Sequence, residues 1–139
     1  MLVNPTAAPR GSETILLMDA DPETRKLAAF MLGKQGYTVL EARNRAEVLP
    51  LFGQRAEDVD LLLLEARGRG YQLAEELKQY QPRLRVLFMC GGSASGAQLV
   101  WEQGLPFLMK PFTMSDIAGK VREVLDSRVE KAMTTNGSF

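Results

Sequence analysis

The sequence contains no histidine and a single cysteine, and its 17 basic side chains are matched by 17 acidic ones. Each shortage excludes something. Without histidine there is no histidine-based metal cage, no Ser–His or Cys–His catalytic pair and no phosphohistidine. With Cys90 alone no internal disulfide forms, and a reducing cytoplasm is the expected setting. A net charge of zero, with no local basic stripe, offers nucleic acid no electrostatic footprint. No apolar run approaches the ~20 residues of a membrane helix; runs such as Leu61 to Leu64 are strand-sized. Met1 to Ser12 lacks an apolar core, so no signal peptide is expected there.

What is present suits one folded domain. The 139 residues are 45% hydrophobic, enough for a packed core and too apolar for disorder. A flexible lead is expected over residues 1–12, a domain over 13–128 and a flexible tail over 129–139. Between the ends, short apolar runs alternate with helical patterns. The runs are Thr14–Met18, Tyr37–Leu40, Asp60–Leu64, Arg85–Met89 and Pro106–Met109. The third and fourth are almost continuously apolar, as parallel strands covered on both faces should be.

The intervening segments carry helix signals. Asp21 followed by Pro22 reads as an N-cap and first helical position, and Leu27, Ala28, Met31 and Leu32 form a stripe that Gly36 closes. Asn44 with Glu47, and Thr113 with Asp116, have capping-box spacing. Pro50 is expected to kink or shorten the second helix. Leu73, Ala74, Leu77 and Tyr80 share one face of the third, and Ile117, Val121, Val124 and Leu125 one face of the last. The segment Ala94–Gln103 is a poor helix because Gly96 lies inside it.

Five strands alternating with five helices specify a doubly wound α/β domain with right-handed crossovers. Chemistry in such sheets gathers beyond the carboxyl ends of the strands. Asp19-Ala20-Asp21 follows the first strand, Glu65 the third, Cys90-Gly91 the fourth and Lys110-Pro111 the fifth. Two carboxylates and a lysine are thus expected at one edge.

That ordered set of strand ends resembles the receiver domain of two-component response regulators, and in its Lys110-Pro111-Phe112 ending the receivers at the C-terminus of hybrid sensor kinases. The resemblance spans about residues 13–127. It implies a flavodoxin-like sheet in the order 2-1-3-4-5. It also implies an aspartate after the third strand that accepts a phosphoryl group from a histidine kinase, and two acids after the first strand that help hold Mg²⁺. A Ser or Thr after the fourth strand and a lysine after the fifth would contact the phosphoryl oxygens, and an aromatic on the fifth would report the switch.

Lys110 and Phe107 match this pattern, and Asp19 matches the first acidic position. The other positions depart from it. Ala20 stands at the second acid, Glu65 at the acceptor and Cys90 at the Ser/Thr position. The loop after Glu65 is about three residues shorter than the family's and lacks its usual proline. Asp21 is acidic, but one place late, where it is better placed to cap the first helix. Glu65 reaches roughly 1.5 Å further than aspartate, and a misplacement of ~1 Å can cost ~100-fold in rate. Mg²⁺ needs near-octahedral oxygen ligands, so with Asp19 and Glu65 alone the metal site is weak or lost. Cys90 supplies only a weak S–H donor.

The expectation is a degenerate receiver acting by protein–protein interaction and not as an enzyme, with no cofactor beyond weak Mg²⁺. Its partner would be a histidine kinase or another signalling protein. A homodimer would form through the fourth helix, fifth strand and fifth helix, including Trp101 and Phe107; neither nucleic acid nor membrane is expected as a partner. Glu65, paired with Lys110 and with Arg67 or Arg69 replacing the missing cation, is either a permanently set switch or an inert relic. Cys90 is either a small buried apolar residue or a redox sensor whose thiol Lys110 acidifies. Trp101 and Phe107 are either partner contacts or simple packing, and Gly91 to Gly96 is either a phosphate cradle or a loop. Two other functions remain open: an active phosphoacceptor, and a flavodoxin-like small-ligand binder.

Overall fold

In the computed structural model, which describes residues 10–91 and 97–127, strands and helices alternate through the described residues. They are β1 (Thr14–Met18), α1 (Pro22–Lys34), β2 (Thr38–Ala42), α2 (Arg45–Arg55) and β3 (Leu61–Glu65). Then come α3 (Gly70–Tyr80), β4 (Arg85–Cys90), α4 (Ala97–Glu102), β5 (Phe107–Met109) and α5 (Met114–Asp126). The strands form one parallel sheet in the order β2-β1-β3-β4-β5. The expected flavodoxin-like topology is therefore the observed one.

Strand alternation splits the core into two layers. Ile15, Leu17, Leu61, Leu63, Leu87 and Met89 face α1 and α5, where Ala28, Leu32, Ile117 and Val121 meet them. Leu16, Leu62, Leu64, Val86 and Phe88 face α2, α3 and α4 on the other side. All five residues of β3 are buried, because the central strand is covered on both faces. Edge strand β2 buries only Ala42. Each fully buried leucine contributes about 1.5–3 kcal/mol of transfer free energy, so this Leu-rich sheet is the main source of stability.

Helix ends follow their sequence signals closely. Asp21 caps α1, its side chain accepting from the Thr24 N–H at 3.2 Å and the Thr24 hydroxyl at 2.6 Å. At the other end Gly36 adopts φ +102°, donating to Gly33 O, while Tyr37 donates to Leu32 O. These two bonds make a Schellman motif, and Tyr37 packs with Leu32 in the same core layer. Thr113 and Asp116 form a complete capping box on α5.

Several expectations need correction. Asn44 accepts from the Glu47 N–H, but Glu47 reaches back to the Arg43 N–H at 2.7 Å, so that box is displaced by one residue. Pro50 does not shorten α2, which runs unbroken to Arg55. Leu27 and Tyr80 are 49% and 77% exposed, because each lies at the margin of its helix's apolar stripe, beyond the reach of the sheet. Strand β2 begins at Thr38 and ends at Ala42, two residues beyond the expected run. Residues 10–12, assigned to a flexible lead, are tied down: Gly11 donates to Gln35 O at 3.0 Å and Arg122 donates to Arg10 O at 3.1 Å. Arg122 also pairs with Glu13 at 2.6 Å, joining the entry segment to α5. The rest of the lead, the segment 92–96 and the tail lie outside the described residues. Among the described residues no helix is long and apolar enough to cross a membrane.

Candidate functional site

The register sets the site. Met18 is opposite Leu64, and Cys90 is opposite Met109, so the residues just past these strand ends come together. Ladder bonds continue beyond the strands and hold those ends: Asp19 N–H to Ala42 O, Ala66 N–H to Met89 O and Lys110 N–H to Cys90 O, at 3.2, 2.9 and 2.8 Å. The peptide bond between Lys110 and Pro111 is cis.

The Lys110 ammonium lies between two carboxylates, 2.8 Å from Asp19 Oδ2 and 2.9 Å from Glu65 Oε2. Asp19 is fully buried, and its other oxygen accepts from the Asp21 N–H at 2.9 Å. Glu65 is almost as deeply buried, and the Arg67 guanidinium covers its outer side at 3.3 and 3.5 Å. Burial works against the charged form of Lys110. The hydrogen bonds and charges of Asp19 and Glu65 outweigh that effect, and its pKa is raised overall.

The three strand-end residues singled out in the sequence thus meet in one cluster. Of the remaining candidates, Arg67 joins through its guanidinium and Asp21 only through its backbone N–H; the Cys90 and Phe107 side chains are not in the cluster. Asp21 spends its carboxylate on the α1 cap, and the Thr24 hydrogen bonds hold its pKa below the usual carboxylate range. Cys90 is buried in the layer with Phe88 and Tyr71. Burial raises its thiol pKa, and the opposing effect of Lys110 is smaller. A buried thiol with a raised pKa matches the small apolar alternative for Cys90 better than an acidified sensor. Phe107 is half-buried against the same layer, in an edge-to-face pair with Trp101 at 6.2 Å. Trp101 itself remains 44% exposed. Among the described residues no group of three or more Cys, Asp or Glu side chains is arranged to hold a metal ion.

Two contributors escaped the sequence reading. Arg25 is buried on α1, donating to the Asp19 carbonyl at 2.9 Å and to Glu41 at 3.2 Å, and so braces the β1 end from behind. The sequence carries no signal for this, since Arg25 stands among Glu23 and Lys26 in a charged first turn. Gly70 starts α3 so close to the Glu65 carbonyl that any Cβ would collide with that oxygen. The turn at 67–69 that leads into it has Gly68 at φ +72°.

A doubly wound parallel sheet with an acid–lysine cluster beyond its carboxyl edge defines a class of site in which β1, β3 and β5 each supply one charged residue. Comparison with known proteins narrows that class. The family model for the response regulator receiver domain matches residues 15–122, and the chain belongs to that family. It is 28% identical over 123 residues to sensor kinase CckA of Brucella abortus (strain 2308), covering 85% of this chain but 13% of that protein. It is 32% identical over 117 residues to the transcriptional regulatory protein GlrR of Escherichia coli (strain K12), covering 81% of this chain and 26% of that protein. The chain therefore corresponds to a minor part of both relatives. A receiver domain structure from Clostridium thermocellum shares the fold at a TM-score of 0.73 and 23% identity, over 82% of this chain and 94% of that one.

Proposed function

We propose that this domain is a degenerate receiver, one that takes part in two-component signalling by binding partners without accepting a phosphoryl group in the usual way. The observation that carries this reading is the position of Lys110, hydrogen-bonded to both Asp19 and Glu65. In the family pattern that lysine contacts the phosphoryl oxygens. Here a glutamate already occupies it.

The donor set also does not fit Mg²⁺. Ala20 offers no ligand, Asp21 is committed to a helix cap, and an ammonium stands between the two remaining carboxylates. Phosphoryl transfer to a carboxylate depends on in-line positioning and on a metal ion that bridges the phosphoryl oxygens, and this donor set favours neither. The domain is then a non-enzymatic, cytoplasmic interaction module, and Glu65 with Lys110 holds it in one state. Its relationship to the sensor kinase sequence favours a histidine kinase, or a hybrid kinase of which this is one part, as the signalling context. The surface of α4, β5 and α5 offers exposed Trp101 and Met109 beside Phe107 for docking or pairing. Membership of the receiver family favours signalling over the small-ligand alternative.

Incubation with acetyl phosphate and Mg²⁺, followed by intact-mass spectrometry, tests the reading. The expected spectrum shows unmodified protein alone. A stable phosphoryl adduct, lost on treatment at alkaline pH as an acyl phosphate would be, favours the active phosphoacceptor instead.

A further inference from the structure

We propose that Arg67 is the resident counter-ion of this site, sharing with Lys110 the charge that a divalent cation carries in a receiver of the usual pattern. The inference rests on reading the domain as a degenerate receiver and concerns how its site is balanced. Three acids and one lysine, the set the family pattern calls for, leave two negative charges for a metal to neutralise. Here Asp19 and Glu65 face Lys110 and Arg67, and the formal sum is zero.

The local backbone explains why a side chain can do this. Strand β3 ends at Glu65 and α3 begins at Gly70, so the chain turns back within residues 67–69. Gly68 supplies the left-handed step of that turn, and Gly70 lets the helix start press against the Glu65 carbonyl. Arg67 is thereby folded over the carboxylate two residues before it, within 3.5 Å of both oxygens. Lys110 approaches Glu65 from the inner side, whereas Arg67, with 59% of its side chain exposed, lies on the outer side. An incoming cation meets this guanidinium first. At such exposure the ion pair adds little to stability, so its consequence is electrostatic exclusion rather than folding.

Titration with Mn²⁺ alone, read as paramagnetic broadening of backbone amide signals at Ala20, Ala66 and Lys110, tests this on the full chain. Wild type and Arg67→Lys are expected to bind Mn²⁺ weakly and alike. Arg67→Ala removes one repulsive charge within a few ångströms and should bind about tenfold more tightly, and Arg67→Glu more tightly still. Unshifted amides in α5 would verify that each variant is folded. Equal affinities for wild type and Arg67→Ala would overturn the proposal, as would a wild type that binds as tightly as Arg67→Glu. No phosphodonor is involved, so this result stands apart from any finding on phosphorylation.

Discussion

Urea unfolding of Lys110→Met is expected to show a loss of about 3–5 kcal/mol relative to wild type, because the variant strands a buried carboxylate. Methionine keeps the aliphatic stem and removes only the cation. Asp19 is fully buried, and in the variant its Oδ2 faces Glu65 Oε2 with no cation between them. Asp19→Asn combined with Lys110→Met should recover part of the loss, since a neutral amide costs less to bury than an unpaired charge. A loss below about 1 kcal/mol, the range of surface ion pairs, would mean that water screens the cluster and that Lys110 is not its keystone.

The same pair makes stability depend on pH in a definite direction. Lys110 has a raised pKa when folded, so its contribution is complete below its unfolded value of about 10.4 and is lost as pH rises through the folded value. The stability difference between wild type and Lys110→Met should therefore shrink at strongly alkaline pH. It should not shrink between neutrality and pH 9.

Most of the fold was legible because the signals were local. Continuous apolar runs marked β3 and β4, and Asp21-Pro22 and Thr113 with Asp116 marked the starts of α1 and α5. Leu27 and Tyr80 were misjudged because a stripe drawn at helical spacing does not say how wide the sheet beneath it is. The strand-end rule brought Asp19, Glu65 and Lys110 together, since parallel register levels the strand ends and the long Lys110 side chain then reaches across β4. Arg25 was not legible, and for Gly70 only the nearby Gly68 hinted at a tight turn. Their roles depend on which backbone atoms approach them across the fold.

The largest functional effect is expected from rebuilding the missing acid. Glu65→Asp alone should not restore phosphorylation. It withdraws the carboxylate from Lys110 by about one carbon–carbon bond, ~1.5 Å, but leaves Asp19 as the single acid at the end of β1. Ala20→Asp together with Glu65→Asp supplies a further carboxylate at an exposed position next to Asp19 and should strengthen Mg²⁺ binding over the weak binding of wild type. An affinity gain of about tenfold or more over the single variant is expected, because the added charge acts on a divalent ion at contact distance. Amide shifts during Mg²⁺ titration would measure it. Equal affinity in the single and double variants would move the defect from Ala20 to the short turn at 67–69, whose backbone carries Arg67 over the site.

Whether the acid–lysine cluster closes this domain to phosphoryl groups is tested most directly by adding beryllofluoride with Mg²⁺, a mimic of the acyl phosphate, to the wild-type domain while recording its amide spectrum. The expected result is no saturable change at Ala66, Cys90 or Lys110, with Lys110 still bridging Asp19 and Glu65. Saturable shifts at those three amides, extending to Phe107, would show that the site opens and accepts the mimic, and would contradict the account.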